Sequence, residues 1–300
     1  GCITSREPVP STNGSPAFAG CSGSSRVVVN SKSNPKAHSL ESILLQYQEY
    51  YEAFTNQDGL RTKPMHREYH KWYSPRLGRD MEMLVHGHAG LPVIVFPSSQ
   101  GRFYEFEDRG MIDAIGYKID NGEVQLYCLD SVDAESWYNR NVPPRWRIAR
   151  HMSYESYVID EVLPLVREKN WSPKRISLGA SFGGYHAVNI ALRHPDKFTG
   201  FLTMSGAFDL AKFLHGYHDS DVYLNLPPQY VPNLHDSWQL DCYRRNSYLF
   251  ASGWDDHCLQ ESRHLAGLLQ AKGVPCRMDI WDTYNSHDWP TWQRMMQVYL

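Results

Sequence analysis

The sequence predicts an α/β fold with a mostly parallel central sheet and helices on both faces. Three observations predict it. From about residue 66 onward, short apolar runs alternate with longer stretches of helical periodicity, which implies crossover connections and therefore parallel strands. Leu91-Pro92-Val93-Ile94-Val95-Phe96 is almost unbroken apolar sequence, as a strand covered on both faces must be. The 300 residues are 42% hydrophobic and 21% charged, enough apolar material to bury a full core.

The elements follow in order. Residues 1–38 are rich in Ser, Pro, Gly and Asn; they cannot bury enough surface to offset the entropy of ordering, and are expected to form a disordered extension. Over residues 39–60, Leu40, Ile43, Leu44, Tyr47, Tyr51 and Phe54 recur at helical spacing, the pattern of an amphipathic helix that docks on the main domain or on a partner. Residues 61–300 are expected to form that main domain. Met81 to Val85, Leu91 to Phe96 and Val124 to Leu129 read as strands. Tyr154 to Lys169 reads as a helix, with Tyr157, Val158, Val162, Leu163 and Val166 on one face. Arg175 to Leu178 is a short strand, Tyr185 to Arg193 a helix stopped by His194-Pro195, and Phe198 to Met204 a strand. Residues 207–240 are irregular and aromatic, and are expected to wall an acyl or alcohol pocket. Ser247 to Ala251 is a strand, Leu259 to Lys272 a helix closed by Gly273, and Cys276 to Trp281 a strand. Asp288 is placed to cap a last helix with Pro290 in its first turn.

The bulk numbers narrow the function. A formal net charge of -3 provides no field for nucleic acid or acidic membranes, and no apolar run reaches transmembrane length. A small molecule is the expected partner; the oligomeric state is not legible. The six cysteines show no zinc spacing and no C-x-x-C pair, so free thiols are expected, with Cys128 and Cys276 acting as small buried hydrophobes. Phe18-Ala19-Gly20-Cys21 loosely resembles a lipoprotein cleavage box, but the stretch before it is polar, and a cytoplasmic location is the expectation, with a secreted or lipid-anchored form as the alternative for a trimmed N-terminus. His86 and His88, in His86-Gly87-His88, have no third ligand at useful spacing and read as hairpin residues. No metal and no cofactor is expected.

Gly179-Ala180-Ser181-Phe182-Gly183 matches the G-x-S-x-G elbow, between a predicted strand and a predicted helix. A nucleophilic Ser must stand on a strained turn clear of the sheet, and Gly179 and Gly183 let strand and helix approach. Behind such an elbow the acid and then the His follow along the chain. His287, in Asn285-Ser286-His287-Asp288-Trp289, comes after the last strand and before the last helix. Gly253-Trp254-Asp255-Asp256 follows the strand ending near Ala251 and supplies the acid from Asp255 or Asp256; the other carboxylate would cap the next helix or face solvent. Asp209 is the fallback. Oxyanion donors are expected from the N–H of Phe182 and of Ser98, with Ser99 as the alternative.

With these residues in place, the stretch from about Met65 to Leu300 resembles the putative-esterase family of α/β hydrolases, which includes esterase D-type S-formylglutathione hydrolases, feruloyl esterases and mycolyltransferases. The resemblance rests on Gly179-Ala180-Ser181-Phe182-Gly183-Gly184, Gly253-Trp254-Asp255-Asp256 and Ser286-His287-Asp288-Trp289. It implies the α/β-hydrolase fold and a carboxylic ester hydrolase acting through a Ser-His-Asp triad and an acyl-enzyme. The same residues would also serve an acyltransferase, or persist in an inactive binding scaffold. The family's G-x-x-D pattern lands on Asp256, and its second oxyanion donor on Ser98. Phe96-Pro97 stands where the family carries H-G or a similar turn.

Overall fold

The computed structural model describes residues 65–284 and 286–300. The extension expected over 1–38 and the helix expected over 39–60 lie outside the described residues. Eight strands form one sheet: β1 (Arg67–Ser74), β2 (Arg79–His86), β3 (Leu91–Phe96), β4 (Val124–Leu129), β5 (Ile176–Ala180), β6 (Gly200–Met204), β7 (Ser247–Gly253) and β8 (Cys276–Trp281). Their order is β1-β2-β4-β3-β5-β6-β7-β8. β2 pairs antiparallel with both β1 and β4; every later pairing is parallel.

The period-2 alternation along the strands sorts the core onto two faces. In β3, Ile94 and Phe96 point to one side, with Tyr127, Leu129 and the helices α1 (Pro144–Tyr157) and α3 (Phe182–Arg193). The helix α2 (Leu163–Lys169), on the same side, continues α1 through a π turn over Val158–Val162. Pro164 has no N–H for the carbonyl four residues back, and the ladder widens there. Val93 and Val95 point to the other face, with Leu178, Leu202, Met204 and, from α6 (Trp289–Tyr299), Trp292, Met295 and Met296. The remaining long helices are α4 (Ser237–Arg245) and α5 (Leu259–Ala271). Asp288 caps α6, accepting from Trp289 N–H at 2.8 Å.

The structure departs from the sequence reading at four places. β1 is present although its sequence, REYHKWYS, carries four charged or imidazole side chains; it lies at the sheet edge, where alternate residues face solvent. α1 begins at Pro144 rather than Tyr154, and its buried face includes Arg147, His151 and Glu155, which hide the apolar periodicity. α3 starts directly after Ser181 rather than at Tyr185, so Gly183 and Gly184 are helical. His86 and His88 are not hairpin residues: β2 and β3 are separated by β4, His86 is the buried last residue of β2, and His88 is exposed in the connection.

Cys128, Cys242, Cys258 and Cys276 are free thiols. Among the described residues no helix is long and apolar enough to cross a membrane.

Candidate active site

Chain order reverses where β3 lies between β4 and β5. At such a switch point the loops beyond the carboxyl ends of the strands diverge and leave a crevice. The loop after β3 and the turn after β5 flank it.

Ser181 ends the β5 turn with φ 54° and ψ -120°, a conformation that costs a non-glycine residue strain. The surroundings hold it there. Its N–H donates to the Met204 carbonyl at 2.9 Å, and its own carbonyl accepts from Gly184 and Ala207 N–H at 3.0 and 3.1 Å. The flanking glycines are required by close backbone approach. A Cβ on Gly179 would collide with the Gly183 backbone, and one on Gly183 with the carbonyls of Phe96 and Pro97.

His287 comes from the loop between β8 and α6. Its Nε2 is 3.0 Å from Ser181 Oγ, and its Nδ1 is 3.0 Å from Asp256 Oδ1. A carboxylate only accepts, so the proton belongs on Nδ1 and Nε2 is left to accept from the serine hydroxyl. The three expected residues are thus brought together from three separate loops. Asp256 is buried. Burial by itself raises its pKa, but hydrogen bonds from His287, the Ser205 hydroxyl beside it and Cys258 N–H outweigh that, and the carboxyl is held below its ordinary value.

Asp255 does a different job from the one expected. It neither caps a helix nor faces solvent alone; it accepts from Ser286 N–H at 3.2 Å and from the Ser286 hydroxyl, and so ties down the residue before His287. Asp256 also receives Cys258 N–H at 2.8 Å, so one carboxylate both orients the imidazole and anchors the turn into α5. Asp209 is exposed, 3.9 Å from Lys212, and not part of this group.

The Ser98 amide is not free for the donor role expected of it. Ser98 N–H donates to Glu105 Oε2 at 2.7 Å, and the Ser98 hydroxyl to Glu105 Oε1 at 2.7 Å, so this amide is committed. Gln100 N–H donates to Asp133 Oδ2 and Gly101 N–H to the Ser98 carbonyl. Among the described residues no hydrogen-bond acceptor meets the N–H of Phe182 or Ser99. Tyr138 links the side chains of these two residues: it packs its ring 5.2 Å from that of Phe182 and donates its hydroxyl to Ser99 Oγ at 2.9 Å.

Sequence reading missed the residues behind the site. Asp133, buried, takes Gln100 N–H with one oxygen and meets His186 Nε2 at 2.8 Å with the other. His186 is on α3, so Asp133 ties the β3 loop to the helix that begins directly after Ser181. Trp292 stands edge-on to His287 at 5.1 Å and donates its Nε1–H to Ser205 Oγ at 2.9 Å. Nothing local marks these residues; only the fold brings them to the site. Asp133→Asn is expected to lower kcat on the order of tenfold with little change in KM, because the oxyanion loop loses its charged anchor. Steady-state kinetics on one ester checks this, and a rise in KM alone would count against it.

The segment 207–240 is less a wall than expected. Phe213 reaches the rings of Tyr138 and Phe182, at 5.0 and 5.8 Å. Phe208, Leu226 and Pro228 instead line a separate cleft of about 280 Å³ with Glu261 and His264, which none of Ser181, Asp256 and His287 lines.

Comparison with known proteins identifies the family and the fold. The family described as Putative esterase matches residues 74–299. The fold is similar to that of a ferulic acid esterase, with 18% identity over 78% of this chain and 96% of that one and a TM-score of 0.63. It is also similar to an S-formylglutathione hydrolase from Staphylococcus aureus (17% identity, 78% and 95% coverage, TM-score 0.57). A fluorophosphonate-binding serine hydrolase of Staphylococcus aureus matches at 17% identity, with 78% and 96% coverage and a TM-score of 0.53. No curated protein sequence matches the chain. The chain belongs to the putative-esterase family and is a serine esterase of the α/β-hydrolase fold.

Proposed function

We propose that the chain hydrolyses carboxylic esters of small molecules through an acyl-enzyme, with Ser181 as nucleophile, His287 as general base and Asp256 as the acid that orients the base and stabilises its cationic form. The observation that carries the reading is the unbroken hydrogen-bonded series Ser181–His287–Asp256. His287 Nε2 takes the hydroxyl proton as Ser181 Oγ adds to the ester carbonyl. The developing oxyanion is met by the N–H groups of Phe182 and Ser99. The imidazolium then returns its proton to the leaving alkoxide, and the alcohol departs. Water, deprotonated by the same imidazole, cleaves the acyl-enzyme and releases the acid and free Ser181.

Turnover of aryl esters of increasing acyl length, with feruloyl esters and S-formylglutathione alongside, tests the reading and ranks substrates. No turnover and no labelling by a fluorophosphonate would refute it. The pH dependence has a definite sign. The imidazole must be neutral to accept the Ser181 proton, so kcat/KM should rise with pH through one ionisation and fall on acidification. A rate that does not fall on acidification, on an ester that does not itself titrate, would remove His287 as base.

A further inference from the structure

At the carboxyl end of β7 the chain turns through Asp256, His257 and Cys258 into α5, and the loop after β8 returns His287 to the same place. One ligand atom from each of these four residues lies within 4.8 Å of the other three. The rings of His257 and His287 are 4.1 Å apart between centroids and tilted by 40°. Asp256 and Cys258 are buried, His287 is half-buried and His257 is exposed. The cluster therefore has a closed floor and a mouth open to solvent. Asp256 Oδ1 already accepts from His287 and Cys258 N–H and the Ser205 hydroxyl stands beside the carboxylate, but Oδ2 makes no hydrogen bond of good geometry and is the buried oxygen that can turn to a ligand.

Two imidazoles, a thiol and a carboxylate form a donor set that suits a borderline-soft divalent cation and tetrahedral coordination. The charges also match: a thiolate and a carboxylate balance a dication, and the imidazoles bind neutral. We propose that this cluster is an inhibitory Zn²⁺ site, which silences the esterase by taking its general base.

The chemistry follows from the tautomer. Zn²⁺ binding releases the Cys258 thiol proton to solvent and forms a Zn–S bond. His287 Nε2 faces Ser181 and Nδ1 faces Asp256, so a cation seated beside Asp256 takes the Nδ1 lone pair. The imidazole's one proton then resides on Nε2, which can no longer accept from the Ser181 hydroxyl. Coordination through Nε2 would block the same proton transfer directly. Neither the His257 imidazole nor the Cys258 thiol moves a proton in the hydrolytic reaction as written, and the Cys258 contact to Asp256 is made by its backbone N–H, which a Cys258→Ser substitution keeps.

The inhibition arm of the test rests on the hydrolase reading; the binding arm does not. The full chain is titrated with Zn²⁺ during ester turnover, beside His257→Ala and Cys258→Ser. The wild type should be inhibited and recover with EDTA. Each variant should keep its metal-free rate and need about tenfold or more Zn²⁺ for half-inhibition. Co²⁺, added without substrate, should give a thiolate-to-cobalt charge-transfer absorption that Cys258→Ser abolishes. Equal inhibition of all three proteins, or no cobalt–thiolate absorption, overturns the site. Should Cys258→Ser fail to fold, the exposed His257→Ala still decides. A chain that turns over no ester but shows the absorption, lost in Cys258→Ser, keeps the metal site and overturns the hydrolase reading instead.

Discussion

Ser181→Ala should leave a folded protein that has lost about 10⁴–10⁶ in kcat. The reasons come from the geometry of the turn. The Ser181 backbone is held through its N–H and carbonyl by Met204, Gly184 and Ala207, none of which depends on the side chain. The hydroxyl is hydrogen-bonded to His287 Nε2, and the imidazole is held independently by Asp256. Alanine also fits the space and keeps the flanking glycines at their close approaches. The melting temperature should therefore stay near that of the wild type while acyl-enzyme formation stops. Circular dichroism, turnover of an aryl ester and fluorophosphonate labelling together check this. A variant retaining more than about a tenth of the rate would show that Ser181 is not the nucleophile.

The site was legible in the sequence wherever a motif stands on one local turn, and not where the contact is made by the fold. Gly179, Ser181 and Gly183 form a strand-to-helix elbow whose backbone turn is written in five adjacent residues. His287 could be found by its place after the last strand. The sheet was legible from the double-sided burial of β3 to β7, since apolar runs leave a clear trace. β1 was not, because an edge strand with alternate polar residues lacks that trace. The oxyanion loop shows the limit most sharply. Ser98 and Ser99 are identical in residue type and adjacent. What separates them is the Glu105 carboxyl, half-buried and with its pKa raised chiefly by desolvation, which claims the amide and hydroxyl of Ser98. In the same way Asp133, Ser205 and Trp292 carry no local signature.

Asp255 and Asp256 are the sharpest case, because adjacent carboxylates should differ widely in effect. Asp256→Asn is expected to lower kcat on the order of 10³, and Asp255→Asn by about tenfold or less. The size follows from what each substitution removes. Asp256 Oδ1 accepts from both Cys258 N–H and His287 Nδ1. An amide at this position keeps its oxygen toward those donors, so the imidazole retains its place. What it loses is the negative charge facing the imidazolium that forms as Ser181 gives up its proton. Opposite unit charges about 4 Å apart, at an effective dielectric near 20, interact by about 4 kcal/mol, or roughly 10³ in rate. Asp255 faces Ser286 instead. Asparagine there still offers an oxygen to the Ser286 N–H and hydroxyl, so His287 keeps its anchor and no catalytic charge is lost. Both variants should be assayed on one ester, with folding checked by circular dichroism, and across pH. Asp256→Asn should remain slow at every pH, since raising the pH frees the base but does not restore the missing charge. A crippled Asp255→Asn beside an active Asp256→Asn would move the acid to Asp255. Two active variants would mean that His287 works without either carboxylate.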